Sequence, residues 1–386
     1  MNKHEKRDAC RRFNSVFIFG FLIIMLLHFL RPAASFSELE NRYLKNMPNI
    51  TVTGILDGTY MQELELYVTD RFVFRNPLLV MRSKLEYLTG KKENNGVYVC
   101  DEDYLIEKSP MLDKALVEQN LAAIRGLGNA GQYHITVSII PPAYEILKDE
   151  LPNHVYSDTV LELNQIISNA FLATNIVSVD TTELLRKYKN DYLYFKTDPH
   201  LTANGAFVVY HKLADTMGIT PLKGDDFKIS DVSRSFLGDT YSKAMKTVLP
   251  DMICDFRPLE TPRFKVRFPY EGTEADSMYF PAHLEEKDKY PYFLDGSHAL
   301  TIIESPNKNG KQLMVLKDDY ANSIVPFLAN HFETIHLVDL ALYQDSVTRY
   351  MKEKDVQEVL VLYGATTFMS QTSIQKIVQD LQNHQK

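Results

Sequence analysis

This sequence predicts an α/β fold on a mostly parallel central sheet, preceded by an N-terminal membrane helix. Three observations carry that expectation. Short β-rich runs alternate with helical periodicity along most of the chain, the pattern of a parallel sheet covered on both faces. An uncharged stretch of about 18 residues, the length needed to cross a bilayer as a helix, stands near the N-terminus. The composition is globular: 386 residues, 45% hydrophobic and 24% charged, enough for one large domain or two smaller ones. The last observation excludes disordered, collagenous and coiled-coil chains, and three cysteines are too few for a disulfide-dense miniprotein. A net charge of -8 argues against sequence-independent nucleic-acid binding, which needs a basic face.

The first elements concern the membrane. Residues 1–12 carry Lys3, Lys6, Arg7, Arg11 and Arg12 against Glu5 and Asp8, and 13–30 carry no formal charge. The basic flank predicts a cytoplasmic tail at 1–12, a transmembrane anchor at 13–30, and everything after Arg31 outside. A cleaved signal sequence is the alternative, because Ala33-Ala34-Ser35 offers small residues to a peptidase and would release the chain near Ser35. Both readings export the body of the protein. Cys10 then faces a reducing compartment, while Cys100 and Cys254 are free to pair outside or to stay apart. No spacing of Cys and His suggests a metal site, and no cofactor motif is present.

Residues 31–110 form an N-terminal extension. Met61, Leu64, Val68 and Phe72 fall at helical spacing within 57–75. Val97-Tyr98-Val99 and Tyr104-Leu105-Ile106 flank the turn Asp101-Glu102-Asp103, which predicts a hairpin over 96–107. The main domain runs from 111 to 386. Leu112, Leu116, Leu121 and Ile124 predict a helix ending near Gly126 and Gly128. A β-rich run at 134–140 stops at Pro141-Pro142. A second helix follows through Val160, Leu163, Ile167, Ala170 and Phe171, then a strand at 176–179. Strands are predicted at 312–316, 334–338 and 358–363, and a last helix at 373–381. Residues 227–309, rich in Pro, Phe and Tyr, read as an irregular insertion.

Two segments can carry chemistry. Thr197-Asp198-Pro199-His200-Leu201-Thr202 precedes a helix with Ala206, Val209, Tyr210, Leu213 and Met217, so Thr202 is the expected N-cap. An Asp two residues before a His can fix the imidazole while its other nitrogen faces a substrate; a plain capping cluster is the alternative. The strand at 312–316 runs into Lys317-Asp318-Asp319-Tyr320-Ala321-Asn322, a strand-to-helix turn of the kind that displays a nucleophile. Here it offers two carboxylates, with Ser323 one turn further on. Tyr192, Tyr194, Phe195, Tyr290, Tyr292 and Phe293 are candidate faces for stacking a sugar, and core packing is the competing use.

These segments, with Ser37-Glu38-Leu39-Glu40-Asn41-Arg42, Asp70-Arg71-Phe72, Asn95-Gly96-Val97-Tyr98, Gly238-Asp239-Thr240 and Val338-Asp339-Leu340, make the chain resemble the DHHW family. That family is related to the SGNH-hydrolase-like alginate O-acetylation proteins. The resemblance runs from Ser37 almost to the C-terminus and implies an SGNH-hydrolase-like three-layer sandwich. It also implies a Ser-His-Asp site that moves acetyl groups on or off an extracellular polysaccharide. Asp198 and His200 match the orienting acid and the base. The serine expected in Lys-Asp-Ser-Tyr-Ala-Asn is Asp319, and the aromatic expected after the His is Leu201, in a chain with no Trp. The expected Gly-Asn-His is Gly296-Ser297-His298, and Asp-Leu-Arg is Asp339-Leu340-Ala341. Ser297, Tyr320 and Asn322 take the substrate-side positions.

An aspartate is a poor nucleophile toward esters, and beside His200 it would hold the ring protonated. The leading reading is a degenerate member that binds an extracellular polysaccharide, or a partner of the acetylation machinery, without turnover. The alternative is an active O-acetyltransferase or esterase using Ser297, Ser323 or an activated water. A structural envelope protein with an empty cleft is the third.

Overall fold

The computed structural model describes residues 3–30, 35–37, 39–40, 42–131, 133–153, 155, 158–260 and 263–383, in two compact units, 1–91 and 92–386. Arg31, Ala33, Ala34, Glu38 and Asn41, named above, lie outside these residues.

In the first unit one helix, α1 (Lys3–Leu30), contains the uncharged stretch, and Phe17, Phe19, Leu22 and Leu26 on it are exposed. Among the described residues no helix is long and apolar enough to cross a membrane, so the span at 13–30 stands as an expectation. The helix predicted at 57–75 forms as α2 (Thr59–Arg71), and a second helix that was not predicted, α3 (Arg75–Leu88), follows it. Met61 and Val68, two of the apolar positions at helical spacing, are exposed. This unit is held by charge. Buried Asp70 accepts from both guanidinium nitrogens of Arg42, at 3.0 and 2.5 Å, and from the Lys45 amide at 2.9 Å. Arg75 bonds Glu40 and lies 3.5 Å from Asp70. The Arg42 contacts, against the cost of burial, hold the Asp70 carboxyl below its ordinary range.

The second unit begins with the expected hairpin, β1 (Val97–Val99) and β2 (Leu105–Glu107). Its residues Tyr104 and Ile106 join the main core, so the hairpin belongs to this body rather than to the extension. The elements that follow are α4 (Lys114–Ala130), β3 (His134–Ile140), α5 (Thr159–Phe171), β4 (Val177–Ser178) and α6 (Ala203–Thr216). Next come β5 (Phe227–Phe236), α7 (Asp239–Ala244), β6 (Asp251–Pro258), β7 (Lys265–Phe268), β8 (Thr273–Ala275) and β9 (Leu300–Glu304). The chain closes with β10 (Gln312–Lys317), α8 (Ala321–Leu328), β11 (Thr334–Val338), α9 (Val347–Glu353), β12 (Glu358–Gly364), α10 (Ala365–Ser370) and α11 (Lys376–Asn383).

Eight strands form the sheet in the order β8-β7-β9-β11-β10-β12-β3-β4. From β11 to β4 every pair is parallel, and β9, β7 and β8 add antiparallel pairs at the other edge. The region 227–309 is therefore not an irregular insertion. It supplies three sheet strands and the separate ribbon β5–β6. Strand side chains alternate between two cores. Leu313 and Val315 pack with Val209, Leu213, Ile324 and Leu328 of α6 and α8, whereas Met314 and Leu316 pack with Leu121, Ile124, Ile167 and Phe368 of α4, α5 and α10. Both faces of β10 are thus dry, which is why it reads as a continuous apolar run. Removing one of these Leu side chains would cost about 2–5 kcal/mol. A third, smaller core of Phe195, Phe236, Ile253, Tyr279, Tyr290, Tyr292 and Phe293 stands apart from the sheet.

Candidate active site

The carboxyl ends of β3, β10, β11 and β12 open onto a cleft of about 470 Å³, where ligands bind in sheets of this kind. Pro142, Asp318, Asp339 and Thr366 line it from those strand ends, and Asp198 and His200 line it from the loop before α6. That loop is fixed at both ends. Thr202 caps α6 by accepting from the Gly205 amide at 3.3 Å, as expected, and donates to the Tyr192 carbonyl at 2.6 Å. The Phe195 amide donates to the His200 carbonyl and the Thr202 amide to the Leu193 carbonyl, folding 193–202 back on itself. Buried Asp251, at the start of β6, accepts from the Lys196 and Thr197 amides at 2.8 and 2.7 Å.

Asp198 is buried and Nδ1 of His200 donates to its Oδ1 at 2.7 Å. The backbone amides of His200 and Asp239 add donors at 3.1 and 3.2 Å. Gly238 stands so close that a Cβ there would lie 2.5 Å from Cβ of Asp198. Burial alone would favour the neutral ring of His200, but Asp198 first, then Asp319 and Asp318, raise its pKa to about 9. The same pairing outweighs burial at Asp198 and keeps its carboxyl below the ordinary range. At neutral pH the pair is an imidazolium against a carboxylate. The ring lies flat on Tyr290, with centroids 3.9 Å apart at 10°, an arrangement that suits a cation on a π face.

Asp319 begins the turn into α8 with its side chain half exposed, and Ser297 Oγ donates to its Oδ1. The Tyr290 hydroxyl donates to its backbone carbonyl at 3.0 Å. Lys317, buried at the end of β10, has its Nζ 4.0 Å from the same carboxylate. Neighbouring Asp318 accepts from the Tyr320 and Gly364 amides at 3.1 and 2.9 Å. Burial, reinforced by Asp319, pushes its pKa up to about 6. The cleft thus joins four of the sequence candidates, Asp198, His200, Asp319 and Tyr320, with the second carboxylate of the turn, Asp318.

The other candidates divide. Ser297 sits on Asp319, at the end of a loop in which Leu294, Asp295 and Gly296 all have positive φ. Tyr320 lines the cleft, but its hydroxyl is spent on the Pro199 carbonyl at 2.7 Å. Asn322 does not face the cleft: its amide accepts from Lys317 Nζ at 2.8 Å and donates to the Gly296 carbonyl at 3.1 Å, tying β10 to the Ser297 loop. Ser323 is buried in α8. Tyr194, Phe195, Tyr292 and Phe293 are core, and none of the six proposed aromatic platforms lines the cleft; Tyr144 and Tyr320 do. Cys100 and Cys254 are both free. Among the described residues no group of three or more His, Cys, Asp or Glu is placed to hold a metal ion. The sequence reading missed Asp251, which carries no local signal.

The DHHW protein profile matches residues 100–338, well over half of the chain. The chain belongs to the DHHW family. A crystal structure of a DHHW family protein from Eubacterium siraeum superposes with a TM-score of 0.62 at 19% identity, covering 75% of this chain and 96% of that one. Bacillus cereus PatB1, solved with a sulfonyl adduct, gives 0.60 at 20% identity, over 72% and 97%. The O-acetyltransferase domain of Pseudomonas putida AlgJ gives 0.46 at 15%, over 75% and 99%. No curated protein sequence matches. At these identities the likeness to the first two structures shows the fold, and the resemblance noted from sequence is confirmed as family membership.

Proposed function

We propose that this DHHW protein is a membrane-anchored, extracytoplasmic component of cell-envelope polysaccharide O-acetylation. In this reading it holds a saccharide chain in the cleft without acetyl turnover through residue 319. The observation that carries the reading is a carboxylate, Asp319, where the nucleophile is expected, beside a His200 cation. A cation cannot take a proton from an attacking hydroxyl, and a carboxylate attacking an acetyl ester would give a reactive anhydride. The Asp198–His200 pair is then a fixed donor for a sugar hydroxyl or an acetyl carbonyl. Calorimetric titration of the full chain with acetylated and deacetylated polysaccharide fragments tests this. Binding that His200→Ala abolishes, with no release of acetate, is expected. Acetate release by the natural protein that depends on His200 would overturn the reading.

One contact favours a second reading. Ser297 Oγ donates to Asp319, so Ser297 is the hydroxyl placed to attack in place of the missing serine. Its oxygen would bond the acetyl carbon and pass its proton to Asp319, and the departing alkoxide would take a proton from His200. A sulfonyl fluoride then labels Ser297, seen by peptide mass mapping, and Asp319→Asn suppresses the labelling. An unlabelled Ser297 removes this alternative.

A further inference from the structure

Helix α3 carries an apolar stripe on its outer face. Leu78, Met81, Leu85 and Leu88 are all exposed, Leu85 at 56% and Leu88 at 83%, and exposed Phe74 continues the stripe past the N-terminus. At about 100° per residue the four fall within an arc of about 80°. Single exposed leucines are unremarkable, but a helical row of them is an interaction surface.

The charges around the stripe indicate what covers it. Lys84 stands about 40° beyond Leu88 on one side, and Arg82 about 40° beyond Leu78 on the other. Lys91 follows the C-terminus of the helix. The acidic partner nearby, Glu86, lies 2.9 Å from Arg82 and 2.7 Å from Lys91, leaving this surface net positive. Long cationic side chains at both margins of an aliphatic arc allow the arc to sink while the charges rise to phosphate level. The same unit holds α1 with its exposed apolar run, so a lipid surface is near if that run is embedded.

We infer that α3 lies on the membrane, its Leu78–Leu88 stripe among the acyl chains and Arg82, Lys84 and Lys91 on anionic headgroups. The occupant is an anionic bilayer surface. This inference rests on the membrane anchoring proposed above and is independent of what the cleft binds.

The absence of Trp from the chain makes the test direct. Leu85→Trp in the full-length protein introduces one reporter, and the protein is incorporated into vesicles of phosphatidylcholine with or without phosphatidylglycerol. Lipids brominated along the acyl chain should quench the emission in the anionic vesicles. Arg82→Gln with Lys84→Gln should lower the docked-to-undocked ratio about 25-fold, about fivefold per cation removed. Matching thermal melts in both backgrounds establish that the variants are folded. Emission characteristic of water would overturn the inference. So would emission shifted to the blue yet unquenched by brominated lipid, which would mean that the second unit or another copy covers the stripe. Quenching unchanged by loss of both cations would overturn the headgroup assignment.

Discussion

Replacing Asp319 with Ser should convert the cleft into an acetyl-transfer site whose pH profile reports the electrostatics described above. With its pKa at about 9, His200 is neutral in about one molecule in a hundred at pH 7, so a restored serine alone would work at about 1% of its plateau rate. The substitution also removes one of the carboxylates that raise this pKa, so the plateau should be reached below pH 9. Acetate release from a phenyl acetate measured from pH 6 to 10, with the His200 ring protons followed by NMR over the same range, checks both statements. The expected result is a rate that rises tenfold per pH unit and then levels at the pH where the ring titrates. Loss of a serine from such a site ordinarily costs several powers of ten in rate, so the gain should be of that order, and His200→Ala should erase it. An Asp319→Ser variant that stays inert while NMR shows His200 neutral would refute the reasoning, because the base would be available and unused.

Stability should depend on the same pair. A folded-state pKa raised from 6.5 to about 9 is worth about 3 kcal/mol, present below pH 6.5 and lost as pH climbs through 9. Chemical denaturation at pH 6 and pH 9.5 should show that extra loss in the natural protein and not in His200→Gln. Asp198, held below its ordinary range, acts in the opposite sense, so its contribution falls away as acid protonates it. Gly238→Ala places a methyl against Asp198 and should cost about 1–3 kcal/mol while shifting the His200 titration, readable by melting and NMR together. In the first unit, Asp70→Ala removes the buried one of the two carboxylates that Arg42 and Arg75 share, leaving Glu40; pulse proteolysis should show cleavage confined to residues before 92.

The legible parts of the fold were those with local cause. Strands β3, β10, β11 and β12 are buried on both faces and so read as short runs dense in Val, Ile and Leu, and Thr202 caps its helix within three residues. Strands β7 and β8 were not legible. Lys265-Val266-Arg267-Phe268 alternates as a strand should, but four residues among Pro and Tyr are too few to tell, and the strand forms because β9 offers it an edge. The site divides the same way. Asp198 and His200 are neighbours in sequence, whereas Asp251 and Tyr290 reach them only through tertiary structure. The aromatic residues of 279–293 are a core of their own, which no periodicity announces because no helix or long strand orders them.

That third core also determines how the site can move. Tyr290 covers the His200 ring from a cluster separate from the two cores that flank the sheet. Separate cores exchange with solvent separately, at free energies below that of global unfolding. The cover over the imidazole can therefore lift while the sheet stays protected, wetting the ring's stacked face without opening the main fold.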